Sequence, residues 1–385
     1  MKVHYISSYV DRDRVTHYYV SPSATSKVSY IKDTLKELGY FVSLFSPIRT
    51  KSESLSLSYC QTISIDSQEV QNYPFSFGGK WFIIKWISYF LVYIQLILYL
   101  CFKVKKNDII LLYHSNPETR LLGVINIFLK RKVVVEVEEL YSAVFSRWDK
   151  IHEEENIIKK CSSYYILVNN IMRERCKFSQ SYVVCEGQYR MINPVPKTIM
   201  DENGYINVLY AGVFEPDADV FCAIDVAKYL PNNYIVHIAG YGDESVVREV
   251  ESLINNQQCE SRIVYHGCLF GDKYEELLKS CSIGLCPRQL EDALSDYTFP
   301  SKVFMYLSRN LKVICTPIAC VKNSKLSSII SFSKDCTSQS ISTSIKEIDS
   351  DIIIDNSSYL NLLDTRFKDD LRKLIECKID HSSIE

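Results

Sequence analysis

Short, continuous apolar runs rich in β-branched and aromatic residues recur along the chain, with helical stretches between them. A strand with no polar face fits only a sheet covered on both sides, so this alternation predicts parallel sheets sandwiched by helices. The first series is VHYISSY at 3–9, FVSLFS at 41–46, DIILLYH at 108–114, VVVEVEEL at 133–140, YYILVNN at 164–170 and YVVCEG at 182–187. A helix from about Ser26 to Leu38, stopped at Gly39, joins the first two, and a polar, Ser-rich excursion fills 47–70. The pattern lapses over 188–205, where Pro194, Pro196 and Gly204 interrupt any period. It then restarts with INVLYAG, YIVHIAGYG, RIVYHG, SIGLCPR and LKVICTP, separated by helices near 219–230, 243–255 and 272–281 and from Lys302. At 385 residues the chain exceeds one hydrophobic core. The expected organisation is an α/β domain at 1–190, a linker at 191–204 and a second α/β domain at 205–355. A helical segment at 356–385 is expected to pack back towards the N-terminal domain.

Charge excludes some partners. A net charge of −2 gives no basic stripe for nucleic acid. The 14 cysteines are scattered without a CxxC pair, which reads as reduced, mostly buried thiols in a cytosolic compartment and argues against zinc or a disulfide framework. The N-terminus runs straight into a strand pattern with no export signal, so a cytoplasmic location is expected, at the inner face of the cell membrane if the protein docks there.

Trp81 to Phe102 is long and apolar enough to cross a bilayer. Crossing would separate strands of one sheet, so the expectation is a helix buried in the domain core or one resting peripherally on a membrane. Lys80, Lys85, Lys103, Lys105 and Lys106 flank it and suit anionic headgroups, making residues 80–106 the candidate membrane contact.

In an open parallel sheet, ligand groups follow the carboxyl ends of the strands. FPSKVFMYL at 299–307 places Ser301 and Lys302 in the first turn of a helix after Pro300, where backbone donors, a hydroxyl and an ammonium suit a pyrophosphate. An ordinary helix start reads the same way. Gly240 and Gly242 of AGYGDE permit close backbone approach, as does any tight turn. His266 and Gly267 end the next strand, and a loop with Glu291, Asp292, Asp296 and Tyr297 precedes the 299–307 helix. In the first half, SPSATSK at 21–27 offers Ser23, Thr25, Ser26 and Lys27 in the first strand-to-helix connection, with N-capping the plain alternative. EVEELYS at 136–142 carries Glu136, Glu138 and Glu139, of which Glu138 or Glu139 is the expected proton-handling cleft residue. Adjacent residues on a strand face opposite ways, so only one of these two should address a ligand. His114 competes for that role.

The order of AG, AGYGD, YHG, IGLCPR and FPSKVFMYL behind a Rossmann-like half resembles GT-B glycosyltransferases, particularly the family 4 group of bacterial polysaccharide-assembly enzymes. The resemblance covers essentially the whole chain and is strongest over 205–320. It implies two Rossmann-like domains facing each other across a cleft and sugar transfer from a nucleotide-diphosphate sugar to a glycan or lipid-linked glycan in surface polysaccharide synthesis. It also implies a base edge at His266 and Gly267, a diphosphate site at Ser301 and Lys302 with Arg288 in support, and a donor-sugar loop at 291–299. No cofactor or metal is expected: Asp217 and Asp219 form an Asp-x-Asp spacing, but it lies where relatives hold basic phosphate ligands. Tyr297 and Met305 stand where relatives carry two glutamates. A UDP-sugar 2-epimerase and a non-catalytic assembly partner are the alternatives on the same architecture.

Overall fold

The computed structural model describes residues 1–11, 22–49, 56–179, 181–214, 219–290 and 293–377. The chain divides into two compact units, Met1–Gln188 with Arg366–Glu385, and Tyr189–Thr365.

Unit 1 contains strands β1 (Lys2–Ile6), β2 (Phe41–Phe45), β3 (Ser56–Ser58), β4 (Gln61–Ser64), β5 (Glu69–Tyr73), β6 (Ser76–Gly78), β7 (Ile109–Tyr113), β8 (Lys132–Val137), β9 (Tyr164–Leu167) and β10 (Tyr182–Val184). Eight of them form one sheet in the order β10-β9-β8-β7-β1-β2-β5-β4, parallel except for β4 on β5. Its helices are α1 (Pro22–Glu37), α2 (Phe82–Phe102), α3 (Asn116–Leu129), α4 (Tyr141–Val144), α5 (Ile151–Cys161) and α6 (Asn170–Cys176). The chain leaves β1 for β2 on one side and returns to β7 on the other, so the switch point of this doubly wound sheet lies between β1 and β7.

Two expectations change here. The Ser-rich excursion supplies β4 and β5, hidden from a hydropathy reading because β5 (EVQNY) turns polar side chains inward. Glu69 is fully buried and held by Lys32 and Lys36, each at 2.8 Å. Helix α2 is not a core helix either, since more of its residues are exposed than buried. It covers the sheet with Ser88, Val92, Leu96, Tyr99 and Leu100 and exposes most of the rest.

Unit 2 contains β11 (Lys197–Thr198), β12 (Ile206–Phe214), β13 (Tyr234–Gly242), β14 (Arg262–Tyr265), β15 (Ile283–Cys286), β16 (Lys312–Cys315), β17 (Ser331–Phe332) and β18 (Ile353–Ile354). Six of these make an all-parallel sheet in the order β14-β13-β12-β15-β16-β17, with its switch point between β12 and β15. Helices α7 (Asp219–Asp225), α8 (Glu244–Asn256), α9 (Gly271–Ser280), α10 (Ser301–Leu307), α11 (Ala319–Lys322) and α12 (Ser338–Lys346) complete the layers. The segment expected as a plain linker holds a strand, because β11 pairs antiparallel with β18.

Helix α13 (Ser357–Glu376) begins in unit 2 and ends in unit 1. Within unit 1, Phe367 stacks on Tyr30, Lys368 pairs with Glu37 at 2.7 Å and the Tyr40 hydroxyl donates to Glu376 at 2.9 Å. The ammonium of Lys132 closes its end by donating to the carbonyls of Leu374, Ile375 and Cys377 at 2.6–2.9 Å. These are the orphan acceptors of a helix C-terminus, which a cation satisfies best.

Candidate functional site

In unit 2 the carboxyl ends of β12 and β13 run side by side through Gly212 and Gly240, which pair in register. Their φ values of 152° and 157° lie where residues with a Cβ are rarely found. A Cβ on Gly240 would stand 1.9 Å from the Gly212 carbonyl oxygen, and the Gly240 N–H donates to Gly267 O at 2.9 Å. Gly240 therefore serves close strand packing rather than phosphate approach. The same holds at Gly242, still inside β13, where a Cβ would meet Phe214 O at 2.6 Å.

Gly212 has a different neighbour. A Cβ there would lie 2.5 Å from Lys302 Cε and 3.2 Å from its Nζ, so the missing side chain makes the bed in which Lys302 rests. The ammonium sits 3.8 Å from the centre of the Tyr210 ring, a cation–π contact. Helix α10 starts at Ser301, which is exposed, and is tied to β12 by Tyr306, whose buried hydroxyl accepts the Ala211 N–H at 2.9 Å. Lys302 is thereby fixed beside the switch point of the sheet. Met305 is engaged within the unit, its sulfur accepting from the Tyr274 hydroxyl at 2.7 Å. Arg288 and Tyr297 are half-buried, the first with its N–H on Thr316 Oγ1. Glu291 and Asp292, the side chain of Asp219, and Asp217 lie outside the described residues.

His266 belongs to a relay that the sequence did not reveal. Asn207 Nδ2 donates to Asp201, which leaves Asn207 Oδ1 to accept from His237 Nε2 at 2.9 Å. His237 Nδ1 then accepts from His266 Nε2, also at 2.9 Å, and His266 keeps Nδ1 as an acceptor. Burial, then the neighbouring His266 and Arg262, push His237 down to about 4, so the pair is neutral near pH 7.

In unit 1 the residues 22–27 already belong to α1, so Ser23, Thr25, Ser26 and Lys27 do not form a loop before it. The side chain of Ser23 lies outside the described residues, Thr25 is buried and Ser26 is exposed. Lys27 turns inward to Glu138, with Nζ 3.0 Å from Oε1, and also donates to the Cys185 carbonyl. Strand β8 ends at Val137, so Glu138 and Glu139 follow the strand instead of alternating along it. Both are half-buried, but only Glu138 meets Lys27.

Glu136 is the group whose importance the sequence understated. It is fully buried, accepts from the Tyr5 hydroxyl, and is pushed up to about 8 by burial and by the charge of Glu138, with Lys27 opposing. One lysine thus faces two carboxyls, and near neutrality the second keeps a proton. Burial, then Glu138 and Glu154, also raise Glu139. His114 cannot compete for proton transfer, because it is 1% exposed and both nitrogens are engaged, with Thr119 and Glu154 at 2.8 Å. Glu154 also accepts the Tyr141 and Ser142 N–H groups at 3.0 and 2.7 Å. His114 and Glu154 are the girder under a cavity of about 490 Å³ lined by Asn116, Arg120, Tyr141, Phe145, Arg147 and Lys150. Among the described residues no group of three or more His, Cys, Asp or Glu is placed to hold a metal ion.

No family model and no curated protein matches the chain. Solved structures do. One described as trehalose-6-phosphate from E. coli bound with UDP-2-fluoro glucose superposes with a TM-score of 0.65 at 8% identity, covering 98% of this chain and 100% of that one. HepE from Anabaena in complex with UDP gives 0.58 at 9% identity, with 97% of each chain covered. A glycosyltransferase from Rickettsia africae gives 0.55 at 12% identity, over 97% of this chain and 93% of the other. The fold is GT-B, two Rossmann-like α/β units in one chain.

Proposed function

We propose that this chain is a glycosyltransferase that moves a sugar from a nucleotide-diphosphate donor to a hydroxyl of a glycan or lipid-linked glycan, in surface polysaccharide synthesis on the cytoplasmic side of the cell. The observation that carries the reading is Lys302, bedded on Gly212 and held over Tyr210 at the switch point of unit 2. When the bond to the sugar breaks, the departing diphosphate gains negative charge, and a fixed ammonium stabilises that charge more than the ground state. UDP is the proposed nucleotide, since the similar E. coli and Anabaena structures hold UDP-2-fluoro glucose and UDP.

The acceptor is assigned to unit 1. Its cavity carries Arg147 and Lys150 beside the rings of Tyr141 and Phe145, while its two carboxylates are engaged, Glu153 by Arg120 and Glu154 by His114, a lining suited to a sugar face and an anionic group. Glu138, steadied by Lys27 and backed by Glu136, is the proposed acceptor of the hydroxyl proton. Because the diphosphate charge is assigned to Lys302, turnover is expected to survive a chelator.

Incubation with UDP-sugars, with and without a panel of glycan and lipid-linked acceptors, tests this reading. Acceptor-dependent release of UDP is the expected result. Interconversion of the donor without any acceptor would replace it with the epimerase. One observation favours a non-catalytic partner as second reading: Met305, where relatives carry a glutamate, is occupied by Tyr274. Tight UDP binding with no turnover on any acceptor would select it.

A further inference from the structure

Helix α2 turns a mixed face to the protein. Beside the buried Val92, Leu96 and Leu100 it places bonded polar groups: Ser88 Oγ accepts the Phe77 N–H at 2.9 Å, and Gln95 accepts from the Phe75 N–H and donates to its carbonyl at 2.8 and 2.9 Å. The Tyr99 hydroxyl lies 2.7 Å from His4 and 2.8 Å from Ser43. The largest apolar side chains point the other way, with Trp81 69%, Phe82 71%, Trp86 61%, Phe90 66% and Phe102 80% exposed. Water is a poor medium for such a face, whereas a lipid surface is a good one.

Topology extends the face beyond this helix. The connections into β7 and from β7 to β8 run in the same direction across the sheet, so right-handed crossovers put α2 and α3 on one face and α1 on the other. The Tyr93 hydroxyl joins them by donating to Glu118 at 3.0 Å. Helix α3 buries Glu118, Thr119 and Leu122 and exposes Val124, Ile127 and Phe128, the last at 81%. Lys80, Lys85, Lys103, Lys105, Lys106 and Lys130 are exposed around this surface, and none makes an ion pair with a described residue. Residues 79–107 contain no Asp or Glu.

We infer that α2 and the C-terminal half of α3 form one docking face for an anionic phospholipid bilayer, with the apolar side chains among the acyl chains and the lysines at the headgroups. The helix lies on the membrane and does not cross it, because β1 before it and β7 after it are paired neighbours. Charge and chemistry select the occupant: an apolar face ringed by exposed lysines that no described residue pairs complements anionic headgroups over hydrocarbon. The inference stands apart from the transferase reading, since binding is measured without donor or acceptor.

Flotation of the full chain with phosphatidylcholine vesicles, alone or containing phosphatidylglycerol, is the test. Binding is expected to the anionic vesicles, and to weaken at about 1 M salt. Phe128→Glu on α3 alone should lower partitioning about tenfold, as should Trp86→Glu with Phe90→Glu on α2. All three positions are exposed, so unchanged circular dichroism is expected; Phe128→Ser repeats the test should the glutamate disturb folding. Wild-type binding by Phe128→Glu and Phe128→Ser would break the composite face. Resistance to alkaline extraction would overturn surface docking in favour of a span. A salt-stable dimer that ignores vesicles and is dissolved by the α2 double substitution would make the occupant a second copy of this chain.

Discussion

Gly212 and Lys302 lie far apart in the chain, yet they occupy one volume element, and that makes them testable as a pair. Gly212→Ala inserts a methyl where Lys302 Cε now lies, and the lysine, being flexible, will move before the strand does. Lys302→Ala should cost at least about tenfold in turnover with little loss of stability, since charge-assisted contacts are worth about 1.5–3 kcal/mol. Gly212→Ala should lose a similar amount, and the double variant no more than either single one; additive losses would show that the glycine does not act through the lysine. Glu136 gives a second residue-scale expectation. Its carboxyl binds a proton near 4.5 when unfolded and near 8 when folded, so between those values the folded state holds more protons and stability falls as pH rises. Glu136→Gln should flatten that decline and melt about 2 °C or more above wild type at pH above 8. A steeper decline in the variant would mean that the proton resides elsewhere.

At the scale of elements, what a sequence discloses depends on whether polarity and burial agree. The strands after 105 and the start of α10 were legible because β-branched runs and Pro300 act locally. Strand β5 was not, because Glu69 is buried with two lysines that come from α1. Helix α2 was left open between core and surface for the opposite reason, as its largest apolar side chains, Trp86, Phe90 and Phe102 among them, are exposed. At the candidate sites, Lys302 and Glu138 could be found by their positions after strands. The pairing of Lys27 with Glu138 and the His237–His266 relay could not, since each joins segments distant in sequence. Lys132 shows how such joints hold elements together. It opens β8 and closes α13, so Lys132→Met should destabilise unit 1 by about 3 kcal/mol, read as a lower urea midpoint. An unchanged midpoint would mean that the three carbonyls are as well served by water.

At the scale of the whole molecule, unit 2 is an insertion within unit 1: the chain leaves unit 1 after Gln188 and re-enters it at Arg366. A fragment of residues 1–188 lacks the part of α13 that covers Tyr30 and accepts Lys132, and it should fail to give a cooperative transition alone. Residues 189–365 should fold without help, and a peptide spanning 366–385 should restore the first fragment. Cooperative unfolding of 1–188 by itself would show that α13 is dispensable to that core. The insertion also sets an order of events during synthesis. The eight-stranded sheet leaves the ribosome first but waits for its last covering helix while all of unit 2 is made, roughly 9–35 s at bacterial rates of translation. For that interval the nascent chain shows the outside an unfinished apolar surface on the α1 side of the sheet, around Tyr30, as well as the face of α2 on the other side, so chaperones must shelter the older half until the younger is complete.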